Sequence, residues 1–181
     1  MAGARQAGWA GILGECTVIL VTVGTQVAFD RLVRTVDAWA GDNGISGVFA
    51  QIGPSDYEPQ SIEFAQFMDP PSFEELFIKA DVVIAHAGMG TILKALELGK
   101  PVLIMPRRAS LGEQRNEHQL ATAERFKKLG VVRVAADENE LLAQLNQLQD
   151  MQTADRIGSS ASTQLIDRLK GFLCEHLGDS E

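Results

Sequence analysis

The sequence has little of what would mark a secreted, metal-binding or nucleic-acid-binding protein. Only two of its 181 residues are cysteines, Cys16 and Cys174, near opposite ends. Two isolated cysteines make neither a disulfide framework nor a zinc site; they fit reduced thiols in a cytosolic protein. The three histidines, His86, His118 and His176, show no metal-ligand spacing, so neither a metal nor a cofactor is expected. Lys and Arg total 16 against 24 Asp and Glu, a formal net charge of −8, which disfavours nucleic acid as a partner. No run reaches the roughly 18 apolar residues of a membrane span, so a role at a membrane would require another molecule to bring the chain there. Residues 1–16 are rich in Gly and Ala, carry one Arg and lack a long apolar run. They read as a disordered extension rather than a signal peptide. Also absent are the GxSxG of a nucleophilic serine, the Gly-Lys-Ser/Thr of a P-loop and the dinucleotide GxGxxG. Acidic residues are plentiful, but no pair stands out as an acid/base couple.

What is present is a core with a regular alternation. Hydrophobic residues make up 45% and charged residues 22%, as in a soluble globular domain, and the length suits one domain rather than two. Thr17 to Val23 is a short apolar, β-branched run ending at Gly24, followed by Phe29, Leu32, Val33, Val36 and Trp39 at helical spacing. Further strands are predicted at Gly47 to Ile52, Ile62 to Phe67, Asp81 to Ala85, Pro101 to Met105 and Val131 to Val134. Helices are predicted over Phe73 to Lys79, Thr91 to Leu98, Glu117 to Leu129 and Leu141 to Leu148. Ser72 with Glu75 and Asp137 with Glu140 have capping-box spacing, and Gly99 and Gly130 stand where helices stop. A last amphipathic helix is predicted at about Thr163 to Leu173. The alternation implies an α/β fold, a Rossmann-like parallel sheet with helices on both faces, spanning residues 17–150, with a C-terminal helix in 151–181.

In such sheets ligands bind beyond the carboxyl ends of the strands, which directs attention to three loops. Gly24-Thr25-Gln26 joins the first strand to its helix. Read alone it is an ordinary turn or a site for phosphate oxygens at a helix N-terminus. His86-Ala87-Gly88-Met89-Gly90-Thr91 follows the fourth strand and opens a helix; its two glycines let a ligand approach the backbone, making it the strongest anion-binding candidate. Pro106 to Gln119 (PRRASLGEQRNEHQ) is polar and far longer than the usual two to about six residues of such a connection. It carries Glu113, Gln114, Asn116, His118 and Gln119, able to bond sugar hydroxyls. Arg107, Arg108 and Arg115 are able to pair with carboxylates.

Taken in order, the segments VTVGTQVAFDRLV, QIGPSDYEP, FMDPPSFEELFIKADVVIAHAGMGTILKALELGKPVLIMPRR and NEHQLATAERFKKLG resemble the C-terminal domain of glycosyltransferase family 28 over about Val18 to Leu148. The resemblance implies the C-terminal half of a GT-B fold. Members that the sequence resembles include stand-alone small subunits, those of the dolichol-pathway UDP-GlcNAc transferase and of bacterial exopolysaccharide glucuronosyltransferases. It further implies that Gly24, Thr25 and Gln26 face the diphosphate of a UDP-sugar and that Met68 meets uracil through its backbone. His86, Gly88, Met89, Gly90 and Thr91 would line the phosphate and ribose. Glu113 and Gln114, with Asn116, His118 and Gln119 close behind, would bond the sugar. Arg107 and Arg108 would complement a uronic acid, favouring UDP-glucuronate over UDP-GlcNAc. Where relatives carry a ribose-binding Glu, this sequence has Lys94, with Glu97 three residues on.

The implied reaction is inverting sugar transfer to a lipid-linked acceptor in polysaccharide biosynthesis. His86 is the one candidate catalytic residue within the chain. The general base is expected from a membrane-associated, acceptor-binding partner, which would recruit this chain from the cytoplasm to the inner face of the membrane. Two rivals remain at this point: a non-catalytic UDP-sugar-binding regulatory subunit, and a UDP-sugar epimerase, which the length disfavours.

Overall fold

The computed structural model describes residues 17–148. The extension expected at 1–16 and the final helix expected in 151–181 lie outside them. Six parallel strands, β1 (Ile19–Thr22), β2 (Val48–Gln51), β3 (Glu63–Ala65), β4 (Val82–His86), β5 (Val102–Met105) and β6 (Arg133–Val134), form one sheet in the order β3-β2-β1-β4-β5-β6. β1 is central, with Ile19 facing Val48 on one side and Val82 on the other. Among the described residues five α-helices complete the alternation: α1 (Asp30–Asn43), α2 (Pro70–Lys79), α3 (Met89–Glu97), α4 (His118–Leu129) and α5 (Glu138–Leu145).

The near-continuous apolar strands are explained by burial on both faces. Side chains alternate across the sheet, so Ile19 and Val21 of β1 enter one core while Leu20 enters the other. The first core packs Leu32, Val36 and Trp39 of α1 and Leu141 and Leu145 of α5 onto the sheet. The second packs Phe77 of α2, Ile92 and Ala95 of α3, and Ala123 and Phe126 of α4. Trp39 also donates its indole N–H to Asn146 Oδ1 at 3.1 Å, fixing α1 to the end of α5.

Local signals set most element ends. Gly99 (φ +60°) and Gly130 (φ +65°) take the left-handed conformation that ends α3 and α4. Asp137 caps α5 by accepting the Glu140 N–H at 3.0 Å, and Glu140 reaches back to the N–H of Ala136. The start of α2 departs from the expected Ser72–Glu75 box. Asp69 is the cap and accepts the Ser72 N–H at 3.0 Å, with Pro70 and Pro71 in the first turn. Prolines lack the N–H that a first turn leaves unpaired, and their fixed φ suits it, so the helix starts earlier than its apolar periodicity shows.

From β1 the chain moves outward to β2 and β3, then returns to β4 at the other side of β1. The connections leaving β1 and β4 therefore diverge at the carboxyl edge, opening a crevice between them. No helix among the described residues is long and apolar enough to cross a membrane.

Candidate functional site

A cleft of about 300 Å³ lies at this crevice. The β1–α1 loop supplies one wall (Val23 to Val27), His86 at the end of β4 supplies the floor, and Arg107, Glu113, Gln114 and Gln119 from the β5–α4 segment supply the other wall. All three loops singled out in the sequence thus meet at one place.

His86 is held between two glycines. A Cβ on Gly88 would lie 2.1 Å from His86 Nε2, and one on Gly24 would lie 3.2 Å from Cε1. Gly24 also has φ +77°, open to glycine and strained for other residues. The imidazole thus occupies the space where both loops omit a side chain. Its Nδ1 sits 3.5 Å from the Thr22 carbonyl oxygen. Burial, and next the positive charge of Arg107, push its pKa down to about 4, so the ring is neutral at pH 7. Gly90 differs, since a Cβ there would meet open space.

Arg107 explains the shape of the opposite wall. Its guanidinium is buried and donates to the carbonyls of Val23 (2.8 Å), Val27 (2.6 Å), Ala28 (2.6 Å) and Glu113 (3.3 Å), while it lies 4.7 Å from the Phe29 ring centroid. Gln119 Oε1 accepts the Arg107 N–H. Burial pulls the Arg107 pKa down to about 10, which still leaves a cation at neutral pH. Expected from the sequence to meet a sugar carboxylate, Arg107 instead knits the β1–α1 loop to the β5–α4 segment. Arg108 likewise turns to the Ala136 carbonyl at 2.8 Å.

Glu113 is also engaged within the protein. Arg31 of α1 grips it with Nε to Oε1 at 2.8 Å and Nη2 to Oε2 at 2.9 Å, and Oε2 also accepts the Arg108 N–H. The next residue, Gln114, is the contrast. Its Oε1 is the one buried side-chain polar atom among the described residues without a hydrogen-bond partner. Such an acceptor in a cleft wall suits an incoming hydroxyl or amide N–H.

Other sequence candidates are not in the lining of the cleft. Gly88, Met89, Gly90 and Thr91 form the cap and first turn of α3, beside His86. Met68 lies in the β3–α2 connection, and Asn116 and His118 are exposed where α4 begins, with Asn116 Oδ1 3.4 Å from the His118 N–H. Lys94 turns toward α2, forming an ion pair with Glu74 and lying 5.8 and 5.1 Å from the Phe73 and Phe77 ring centroids. It thus ties α3 to α2.

Two contributors were not singled out in the sequence. Arg31 is one. Gln51, at the end of β2, is the other: its Nε2 donates to the carbonyls of Gly24 (2.9 Å) and Gln66 (3.0 Å), and its Oε1 accepts from Thr22 Oγ1 (2.9 Å). An amide closing an otherwise apolar strand was the available signal.

Against known proteins, the Glycosyltransferase family 28 C-terminal domain matches residues 18–169. The human UDP-N-acetylglucosamine transferase subunit ALG13 is 33% identical over 122 residues, 62% of this chain and 10% of that protein. The Candida glabrata subunit of the same name is 30% identical over 51% of this chain and 44% of that protein. This chain therefore spans less than half the length of either relative. Among solved structures, an ALG13 solution structure superposes with a TM-score of 0.52 at 21% identity, covering 72% of this chain and 84% of that one. Acinetobacter baumannii MurG gives 0.56 at 16% identity, covering 87% and 51%. These likenesses identify the sheet and its helices as the C-terminal half of a GT-B fold.

Proposed function

The chain belongs to the glycosyltransferase family 28 C-terminal domain family, and from that membership we propose that it is the donor-binding subunit of a two-component inverting glycosyltransferase. The donor is a UDP-sugar, and the acceptor is a lipid-linked saccharide held by a membrane-associated partner. The observation that carries the reading is the cleft itself: a neutral imidazole seated between Gly24 and Gly88, flanked by a buried guanidinium and by the N-terminus of α3. Backbone amides, a helix N-terminus and a fixed cation together favour a diphosphate, both as ligand and as departing group. Since this electrostatics is built before the sugar leaves, it acts on the charge that develops as UDP departs.

Of the two donors suggested by the sequence, UDP-GlcNAc is the one we favour. The uronate argument rested on the arginines of the Pro106–Gln119 segment; of these, Arg107 and Arg108 donate to main-chain carbonyls and Arg115 is exposed. The relatives named above are UDP-N-acetylglucosamine transferase subunits. Gln114, with its unpaired Oε1, is suited to a sugar hydroxyl or the acetamido N–H.

Deprotonating the acceptor requires a base of suitable strength in reach. Glu113 has both carboxylate oxygens bonded to Arg31, and His86 at about 4 is a weak base at neutral pH. The partner supplies the base in this reading, and it also brings the chain to the cytoplasmic face of the membrane. A regulatory subunit that binds UDP-sugar without catalysis would use the same cleft, and the engagement of Glu113 and the low pKa of His86 suit it equally. Calorimetry against UDP, UDP-GlcNAc and UDP-glucuronate tests the site: UDP-GlcNAc should bind most tightly. No heat with any nucleotide at millimolar concentration would refute it. UDP release on mixing with the partner and acceptor separates catalyst from regulator.

A further inference from the structure

The most heavily bonded side chain near the cleft that the proposed function leaves unused is Arg31. It sits in the first turn of α1 and spans three elements. Its Nε and Nη2 fork onto Glu113, Nη2 also donates to the Pro106 carbonyl at 3.2 Å, and Nη1 pairs with Glu138 of α5 at 3.0 Å. Both Arg31 and Glu113 side chains are only 12% exposed, so the pair is screened from water and fixed in geometry. Burial opposes the Arg31 charge, but the bonds to Glu113 and Glu138 outweigh it and hold its pKa above the ordinary value. The grip continues along the main chain: Glu113 Oε2 accepts the Arg108 N–H, and the Glu113 carbonyl accepts from Arg107. The segment from Pro106 to Glu113 is thus bonded at both ends and folded back on itself by side chains.

We infer that Arg31 is a positioning residue for the sugar end of the donor cleft: by clamping Glu113 it fixes Gln114, the adjacent residue, with its unpaired carbonyl oxygen in the wall. This rests on the donor-site reading above. Arg31 lines no part of the cleft, so its effect reaches the ligand only through Glu113 and Gln114. The nucleotide side is built on Gly24, His86 and the start of α3, and the one residue it shares with the clamped segment, Arg107, keeps its own bonds to the Val23, Val27 and Ala28 carbonyls when Arg31 is changed. The two ends of the ligand therefore respond differently to its loss.

The test compares UDP and UDP-GlcNAc binding by calorimetry on the full chain, wild type against Arg31→Lys. Lysine keeps the charge but cannot fork onto both Glu113 oxygens while reaching Pro106 and Glu138. UDP affinity should stay within about twofold, while the extra affinity of UDP-GlcNAc over UDP falls roughly five- to tenfold, the worth of about one hydrogen bond. Glu113→Gln, which sets an amide N–H against the Arg31 fork, should give the same pattern and serves if the lysine variant does not fold. Gln114→Leu should also remove the sugar increment, and adding it to Arg31→Lys should cost little more. Equal loss for both nucleotides, no loss for either, or additive effects of the two substitutions would each overturn the inference. So would a wild-type chain that binds UDP-GlcNAc no better than UDP. A wild-type chain that binds neither nucleotide would instead overturn the donor-site reading, and this inference with it.

Discussion

His86 offers the most direct physical test of the cleft. In the folded chain its pKa is pushed to about 4, first by burial and then by the Arg107 charge, from an ordinary value of 6.5. The unfolded chain therefore binds the proton more readily across that window. Stability from the neutral ring is fully present above 6.5, is lost as pH falls, and falls no further below about 4. Linkage converts the difference into a loss of about 2 kcal/mol by pH 5 and about 3 kcal/mol by pH 4. The assay is urea denaturation of wild type and His86→Gln between pH 7.5 and about 4. Glutamine does not titrate, so the stability difference between the two chains should move against wild type by those amounts, leaving other titrations to cancel. In parallel, the His86 Hε1 proton resonance, assigned by its absence from the variant, should titrate near 4 in the free chain. It should move upward with UDP bound, because a neighbouring diphosphate favours the charged ring. A free-chain midpoint near 6.5 would mean that the ring is solvated and distant from the Arg107 charge, and the account of the cleft floor would be wrong.

Three further outcomes follow from the same geometry. Gly88→Ala places a methyl 2.1 Å from His86 Nε2 and should weaken UDP binding at least about tenfold, whereas Gly90→Ala, facing open space, should leave it unchanged; calorimetry on the pair separates close packing from general loop sensitivity. Arg107→Met strands four carbonyls and should cost about 3 kcal/mol or more in urea denaturation. Tyr57→Phe removes the 2.5 Å bond to buried Asp37, which also accepts the N–H groups of Gln60 and Ser61, and should cost about 1.5–3 kcal/mol at pH 7. Burial raises the Asp37 pKa, but these bonds outweigh it and hold it below 3.8, so that stabilisation persists above pH 3.8 and fades as acid protonates the carboxylate.

Period and punctuation carry local information, and that part of the fold was legible. The apolar runs at Ile19 and Val82 and the helix-stopping Gly99 and Gly130 give strands, helices and their order. The parallel arrangement also locates the cleft, because crossovers between parallel strands leave their loops at one edge. Pairing across the chain is different. Arg31 and Glu113 are 82 positions apart, and nothing local says that they meet. Arg107 reads as a partner for a sugar carboxylate beside Arg108, and nothing local says that the carbonyls of a distant turn converge on it and bury it. Gly88 and Gly90 look alike as letters, and only the neighbouring imidazole tells them apart. Lys94 is legible as a departure from the family pattern, but its contacts with α2 depend on how two helices pack.

The order of strands has a consequence for biosynthesis. β1 emerges first but needs β2 on one flank and β4 on the other before its amides and carbonyls are all paired. The cleft's last lining residue, Gln119, arrives still later. Such long-range closure makes for slow folding. A nascent or prematurely terminated chain would carry the glycine loops without the wall that faces them. Nucleotide capture is therefore a property that only a nearly finished sheet acquires.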